Sequence, residues 1–392
     1  MISIMFHTAG LNNLRWRSSH MSEPLDIFRD KLEVIREEGC RSIFMREAAE
    51  HFGKKRDHLV HLTFDDGYLD NWIHVFPLLE QHGLKATIFV TAEFVDPRDI
   101  LRERRISFGR EHHAPDCCAG FLSYREMREM EASGLVEIQS HSLTHTWYFK
   151  GPEVVDFWHP GAATRPMGPV WMLWNKFPAR KPFYLVEAAD LEEKIPYGTP
   201  VYEHGKSLAT LRYFPDETEL ETRLIDLAGS QDADFYDRPD WRNEFHKAVR
   251  EHREDHGIKG RFETGGEHKE RIETELFESK RRIEEGLGHS VEGISWPGGG
   301  VTKEVVETAK QLGYRYFPLP AAWRGAENTE YSGEMISRIG SLTRITMKGK
   351  DLGYPSKTDF KYHLRRNDGY RGARWMLYRN KVKKLLFGPR DY

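Results

Sequence analysis

Two carboxylates, Asp65 and Asp66, stand side by side after the apolar run His58-Leu59-Val60-His61-Leu62-Thr63-Phe64, and Gly67 follows them. The run reads as a buried strand that ends at the glycine. Both acids then sit at the carboxyl end of a strand, where α/β folds place their chemistry. Neighbouring side chains on an extended strand point to opposite sides, so one acid can grip a metal ion while the other handles a proton. A second apolar segment, Gly134–Gln139, leads into Ser140-His141-Ser142-Leu143-Thr144-His145-Thr146. Imidazoles four positions apart converge on one ion from a helical turn, or from a strand end and its loop. One carboxylate and two imidazoles form an open facial site that suits Zn²⁺ or Fe²⁺ and leaves room for water and substrate. Taken singly, Asp-Asp-Gly is an ordinary turn and His-x-x-x-His an ordinary pair of surface or core histidines. Together, each after a strand, they point to a metal centre.

These motifs resemble the polysaccharide deacetylases, the NodB-homology or carbohydrate esterase family 4 group. The resemblance rests on Thr63-Phe64-Asp65-Asp66-Gly67-Tyr68, on His141-Ser142-Leu143-Thr144-His145 and, less specifically, on Ile294-Ser295-Trp296-Pro297-Gly298-Gly299-Gly300. The opening Ile2-Ser3-Ile4-Met5-Phe6-His7 is similar to the family's first strand, and the matches spread over residues 1–345. The resemblance implies a distorted (β/α)7 barrel that removes acetyl groups from N-acetylated, sometimes O-acetylated, sugars. It implies Asp66, His141 and His145 as ligands of a divalent metal, zinc first, with iron, cobalt or nickel as alternatives. It implies Asp65 as the general base. Trp296, Pro297 and Gly298 are the expected substrate and oxyanion residues, with the Gly298 turn as backbone donor.

Two departures stand out. The family's third motif carries an arginine that orients the base, and alignment on Pro297 puts Ser295 in its place. The family also has a late histidine as general acid, whereas after residue 345 this chain has only His363, in a basic tail. His7, at the end of the first strand, is the expected substitute; the alternative is a hydrogen-bonded strand-end residue. His289 reads as part of a helix–strand connection. The segment Glu111–Cys118, with His112, His113, Cys117 and Cys118, reads as a loop rather than a second metal site.

Alternating strands and helices are expected to place these residues: strands at Ile2–Phe6, Ile43-Phe44, Leu59–Phe64, Ala86–Val90, Leu135–Gln139, Ile294–Trp296 and Tyr314–Phe317. Helices are expected at Glu23–Glu38, Trp72–His82, Tyr124–Ser133, Glu267–Leu287 and Lys303–Leu312. Units of this length imply a parallel sheet. Residues 151–258 break the rhythm and are rich in aromatics, among them Trp158, Trp171, Trp174, Phe177, Phe183, Tyr184, Tyr197, Tyr202, Tyr213 and Phe214. They read either as a sugar-binding cap or as an insertion with its own core or a subunit interface.

The chain has 392 residues, 30% of them charged, a net charge of −3 and a mean hydropathy of −0.66, which exclude a membrane-spanning class. Three cysteines, two of them adjacent, do not form a disulfide framework, and Met1–His7 lacks the pattern of a signal peptide. A cytoplasmic setting is expected. Residues 346–392 carry thirteen Lys or Arg against four Asp. Within this tail, 371–386 has the pattern of a basic amphipathic helix, fit either to pack on the barrel or to lie on an anionic membrane surface. No nucleic-acid motif accompanies the charge, so no such partner is expected. The sequence leaves the oligomeric state open.

The reading that follows is a metal-dependent hydrolase of N-acetylated sugars in a polysaccharide or glycan intermediate. The alternatives are hydrolysis of a formyl or O-acetyl sugar on the same site, or an inactive carbohydrate-binding or scaffold descendant. Retention of Asp65 argues against the last, since binding alone needs no base.

Overall fold

The computed structural model describes residues 1–10, 21–51, 58–104, 118–165, 167–232, 234–320, 335–340, 346–347, 350–351 and 355–387. The expected segment Glu111–Cys118 lies outside them except for Cys118.

A parallel sheet forms the centre. Its main strands are β1 (Ile2–Phe6), β2 (Leu59–Phe64), β3 (Ala86–Val90), β4 (Val136–Ser140), β7 (Phe317–Pro320) and β8 (Met335–Gly340). They run in the order β7-β8-β1-β2-β3-β4, and every pairing along that path is parallel. Register brings Phe6 beside Phe64, and Val90 beside Ser140. The residues that follow these strands, His7, Asp65, Asp66 and His141, therefore emerge on one edge.

Alternation along the strands sorts the two faces. Phe6 and Phe64 turn toward helix α1 (Leu25–Glu37), where Phe28 meets both rings edge-on at 5.4 and 5.8 Å. The opposite face is polar: Ser3 Oγ lies 3.1 Å from His61 Nδ1, and His61 Nε2 lies 3.0 Å from Thr87 Oγ1. Thr87 in turn donates to Glu137 Oε2 at 2.9 Å. Burial pushes the His61 imidazole down to about 3, so it sits there neutral.

The two ends of the strand path are joined by a short extended stretch. Ser140 N donates to Gly293 O and Ser295 N to Ser140 O, while Ile294 N donates to Tyr316 O. Around the sheet lie α2 (Phe76–His82), α3 (Tyr124–Ala132), α7 (Gly265–Leu287) and α8 (Lys303–Gln311). Capping boxes set the N-termini of α3 (Ser123 with Glu126) and α7 (Thr264 with Glu267). Three expectations shift. Trp72–His82 is a π-turn over Asn71–Val75 followed by α2, the extended residues before β2 are Arg41–Ser42 rather than Ile43-Phe44, and the strand expected at Tyr314–Phe317 begins only at Phe317, Tyr316 making an isolated bridge to Gly293. Ile294–Trp296 keeps the expected extended course but makes only the isolated ladder bonds just given.

Between β4 and α7 the chain departs from the sheet. Strands β5 (Trp147–Phe157) and β6 (Pro200–Lys206) form an antiparallel pair, with α4 (Trp171–Lys176) in their connection. Beyond them lie α5 (Thr218–Gly229) and α6 (Trp241–His256). The aromatics here divide between two cores. Trp158, Trp171, Trp174 and Tyr184 join the main core, while Phe157, Tyr202, Phe235, Trp241 and Phe245 pack together with Leu220 and Leu224.

Helices α9 (Lys357–Asn367) and α10 (Ala373–Phe387) close the described chain. Arg365 pairs with Glu38, Asn367 donates to Met1 O, and buried Lys384 pairs with Asp359 at 2.7 Å. No described helix is long and apolar enough to cross a membrane.

Candidate metal and hydrolytic site

The two sequence motifs meet at the carboxyl edge of the sheet. Asp66 Oδ1 lies 3.2 Å from His141 Nε2 and 3.1 Å from His145 Nε2. Asp66 and His141 are buried, and His145 is the member reached by solvent. Backbone geometry forces this convergence. Asp66 has φ +75°, Ser142 φ +66° and His145 φ +50°, all in the left-handed region that non-glycine residues avoid. Such residues cost about 1–3 kcal/mol each and persist where the surroundings impose them, typically at functional sites. Gly67 (φ +77°) completes the turn; a β-carbon there would lie 2.8 Å from Val90 Cγ1.

The donor set fits a cation. His141 Nδ1 lies 2.9 Å from Ser295 O, and a carbonyl can only accept, so Nδ1 carries the proton. A neutral His141 ring then turns the lone pair of Nε2 toward the carboxylate oxygen of Asp66. Asp66 Oδ1 has no hydrogen-bond donor of its own. Lone pairs from two groups facing each other in a buried pocket need a positive charge between them. Burial pushes the Asp66 carboxyl up, but the attraction of His145 and His141 in their charged form, which stands in for such a cation, outweighs it and holds the group well below the usual carboxylate range.

Asp65 faces the other way. Arg338, on β8, holds it with two bonds, Nη1 to Oδ1 at 2.6 Å and Nη2 to Oδ2 at 2.8 Å. Arg338 Nη2 also donates to Ser295 Oγ at 2.7 Å, and Nη1 to Thr63 Oγ1 at 3.2 Å. Burial works against the Asp65 charge, and the Arg338 guanidinium overcomes it, so the carboxyl stays below its ordinary range and ionised. This corrects the expectation that the base-orienting arginine is missing. Ser295 does occupy the place aligned with it, but a guanidinium from another strand reaches the same carboxylate. The sequence carried little signal for it, because Arg338 lies in Met335–Gly340, a segment not read as a strand.

His7 follows β1 on the same edge. Its carbonyl accepts from Asn71 Nδ2 at 3.1 Å, and its ring feels the charges of Asp66, Asp65 and His141. Burial lowers the imidazole below its ordinary value, with the two aspartates opposing. His363 lies on α9, whose Asn367 binds Met1 O at the start of β1, and burial lowers it to about 4. Exposed His289 lies 2.8 Å from Glu131, away from the site.

The third motif borders the site. Trp296 is buried and stacks on Phe317 with centroids 5.9 Å apart and planes 4° from parallel. Pro297–Gly299 forms a single tight turn with Gly298 at φ +52°, and Lys206 of β6 donates to Gly298 O. Trp174 of α4 meets the His145 ring edge-on at 6.0 Å. Buried Glu275 holds the histidine loop by accepting from Thr144 N at 2.8 Å and Thr144 Oγ1 at 2.9 Å. Neither Glu275 nor Lys206 could be singled out from the sequence: Glu275 lies in a charged helix where its neighbours look equivalent, and Lys206 adjoins no recognisable motif.

Comparison with known proteins finds similarity across the span that holds this site. Residues 52–158 match the polysaccharide deacetylase family. That span holds Asp65, Asp66, His141 and His145, the residues that carried the resemblance. The chain is 27% identical over 145 residues to YxkH of Bacillus subtilis (strain 168), whose name assigns it provisionally to the polysaccharide deacetylases. It is 31% identical over 126 residues to the poly-beta-1,6-N-acetyl-D-glucosamine N-deacetylase of Escherichia coli (strain K12). These matches take in 36% and 31% of this chain, and span only 42% and 18% of the two relatives. The structure of a de-N-acetylase from Aggregatibacter actinomycetemcomitans superposes with a TM-score of 0.50 at 14% identity, over 89% of this chain and 97% of the other. At that identity the likeness shows the α/β fold with its parallel sheet.

Proposed function

We propose that this protein is a divalent-metal-dependent deacetylase that hydrolyses the acetamido group of an N-acetylated sugar in a polysaccharide or glycan. The observation that carries the reading is the meeting of Asp66, His141 and His145, with His141 fixed by Ser295 O so that its free nitrogen faces the carboxylate. When bound, a metal ion supplies Lewis acidity toward the acyl oxygen and lowers the pKa of water; zinc is the expected ion. Asp66, His141 and His145 hold it. Asp65, kept ionised and oriented by Arg338, takes the proton of the attacking water. His7 delivers a proton to the leaving nitrogen, which departs poorly as an anion. The Gly298 turn is the candidate backbone donor to the developing oxyanion.

The same reading includes a closed (β/α)7 barrel, supported by the ladder bonds of residues 293–295 to β4 and to Tyr316. It includes a cytoplasmic setting, supported by cysteine usage. It also includes peripheral contact with an anionic surface through α10, where Trp375, Tyr378 and Leu386 are exposed beside Arg371, Arg374 and Lys383. A polymer of N-acetylglucosamine is the substrate to try first, given the name of the Escherichia coli relative. Acetate release from that polymer should stop on chelation and return with zinc. Release unaffected by exhaustive chelation, with metal loss verified by elemental analysis, would overturn the proposal.

A further inference from the structure

The two imidazoles of the metal site are mounted differently. His141 is set through its ring, whose Nδ1 proton goes to Ser295 O. His145 has no such tie: its Nδ1 is buried, and among the described residues nothing hydrogen-bonds to it. Its backbone nevertheless stands at φ +50°, a conformation that persists only where neighbours impose it. Its direction is therefore set through the loop on either side. Every polar group of the two residues flanking His145 is bonded. Thr144 N and Oγ1 donate to Glu275 Oε1 at 2.8 and 2.9 Å, and Thr144 O accepts from Lys181 Nζ at 3.1 Å. Thr146 N donates to Thr144 Oγ1 at 3.3 Å, Thr146 Oγ1 donates to Asn175 Oδ1 at 2.5 Å, and Thr146 O accepts from Ser207 N at 3.0 Å.

Three of these partners, Lys181, Asn175 and Ser207, belong to the inserted region. Lys181 lies on the short turn Pro178–Phe183 and is only 2% exposed, and its ammonium is paired with Glu93, which follows β3. A buried ion pair contributes little net stability, because desolvation offsets the attraction. What this one does is fix a loop carbonyl one residue from a metal ligand. Asn175 works from α4, whose Trp174 meets the His145 ring edge-on, and its Nδ2 also donates to Trp147 O at 3.0 Å. From this geometry we propose that Lys181 and Asn175 are positioning residues of the metal centre. The inserted region grips the loop around His145 and sets the direction of its ring, the task that a carbonyl performs for His141. The proposal rests on the metal-dependent reading of the site and gives the insertion a part in holding the ion, separate from any contact with substrate.

The test measures zinc affinity by competition with a chromophoric chelator, which needs no turnover, in wild type, Lys181→Met, Asn175→Ala, Glu275→Gln and Glu275→Leu. Lys181→Met keeps the stem and deletes the ammonium; Asn175 is exposed, so Asn175→Ala is the milder change, and thermal melting of the metal-free proteins establishes that each variant folds. Lys181→Met and Asn175→Ala should each weaken zinc binding about 10- to 100-fold. Glu275→Gln, whose amide oxygen still accepts from Thr144, should bind like wild type, while Glu275→Leu should weaken as Lys181→Met does. Wild-type affinity in a folded variant overturns the role of the residue replaced. Saturating zinc should restore most of the acetate release lost in Lys181→Met, because a misdirected ligand weakens the site without removing it. A loss that persists at saturation would place the effect in the fold and overturn the proposal. Failure of the underlying reading looks different: wild-type protein that takes up no zinc removes the metal centre and the positioning role with it, whereas zinc bound equally by wild type and variants removes the positioning role alone.

Discussion

Among the described residues, two groups offer two imidazoles and a carboxylate within 4.8 Å of one another, Asp66/His141/His145 and Glu219/His252/His256. The residue types are alike; the support is not. In the first, a backbone carbonyl fixes the His141 tautomer, and left-handed residues shape both the Asp66 turn and the histidine loop. In the second, His252 and His256 are one turn apart on α6, their rings 4.5 Å from each other, and Glu219 comes from α5. Ordinary helical spacing makes that cluster. Among the described residues no carbonyl fixes either ring, and Glu219 and His256 are exposed. A ligand set becomes a centre when the surrounding structure dictates orientation, and that distinguishes the pair.

The strongest way to break the comparison is to delete an imidazole from each group. His141→Ala should lose the metal by elemental analysis and with it more than about 10³-fold in activity, as three protein ligands leave none to spare. The His252→Ala/His256→Ala double variant should match wild type in both measurements; a shared loss would mean that the outer cluster belongs to the enzyme's metal chemistry. Next comes Asp65→Asn, which should keep the metal yet lower kcat about 10⁴-fold, because an amide cannot accept the proton. His7→Ala should cost about 10²-fold on N-acetyl substrates and little on an acetate ester with a good leaving group. Equal losses on both would assign His7 to positioning. Arg338→Lys keeps the charge and loses the two-pronged grip, and should lower kcat by about 10- to 100-fold with metal content unchanged.

The smallest effect concerns Asp70, a buried carboxyl with neutral partners. It accepts from Ala9 N at 2.7 Å and Asn71 Nδ2 at 3.3 Å, and burial raises it to about 8. Asp65 and Asp66, beside positive groups, are lowered instead. The signs are therefore opposite. A carboxyl raised from 3.8 to about 8 holds its proton in the folded state while the unfolded chain releases it, so stability falls as pH rises from about 4 to 8 and then levels. The lowered pair contributes stability that disappears as pH falls below the ordinary carboxylate range. Asp70→Asn should flatten the slope of chemical-denaturation midpoints between pH 5 and 8. An unchanged slope would assign it to other groups.

Much of this was legible because local pattern and local chemistry coincide. The strand before Asp65 is continuous and apolar, Gly67 ends it, and both metal motifs follow their strands directly. Arg338 was not legible, since its role depends on β8 lying beside β1, a pairing between residues more than 300 positions apart in sequence. The inserted region was hard for another reason. Its aromatics alternate between two cores, so neither a helical nor a strand period dominates, and Phe157 and Trp158, adjacent in sequence, pack into different clusters. The late-histidine gap was visible, yet the arginine gap was only apparent.

Ser295 touches both halves of the site. Its carbonyl receives the His141 proton, its hydroxyl receives Arg338, and its amide is tied to Ser140 O, the residue just before His141. His141 and Asp65 are thereby referenced to one short stretch of backbone. When that stretch shifts, His141 and the Asp65 carboxylate travel with it, so their mutual spacing is buffered against the breathing of the sheet around them. The residue works as a common fulcrum, and thermal motion that would misalign two independently mounted groups moves this pair as one.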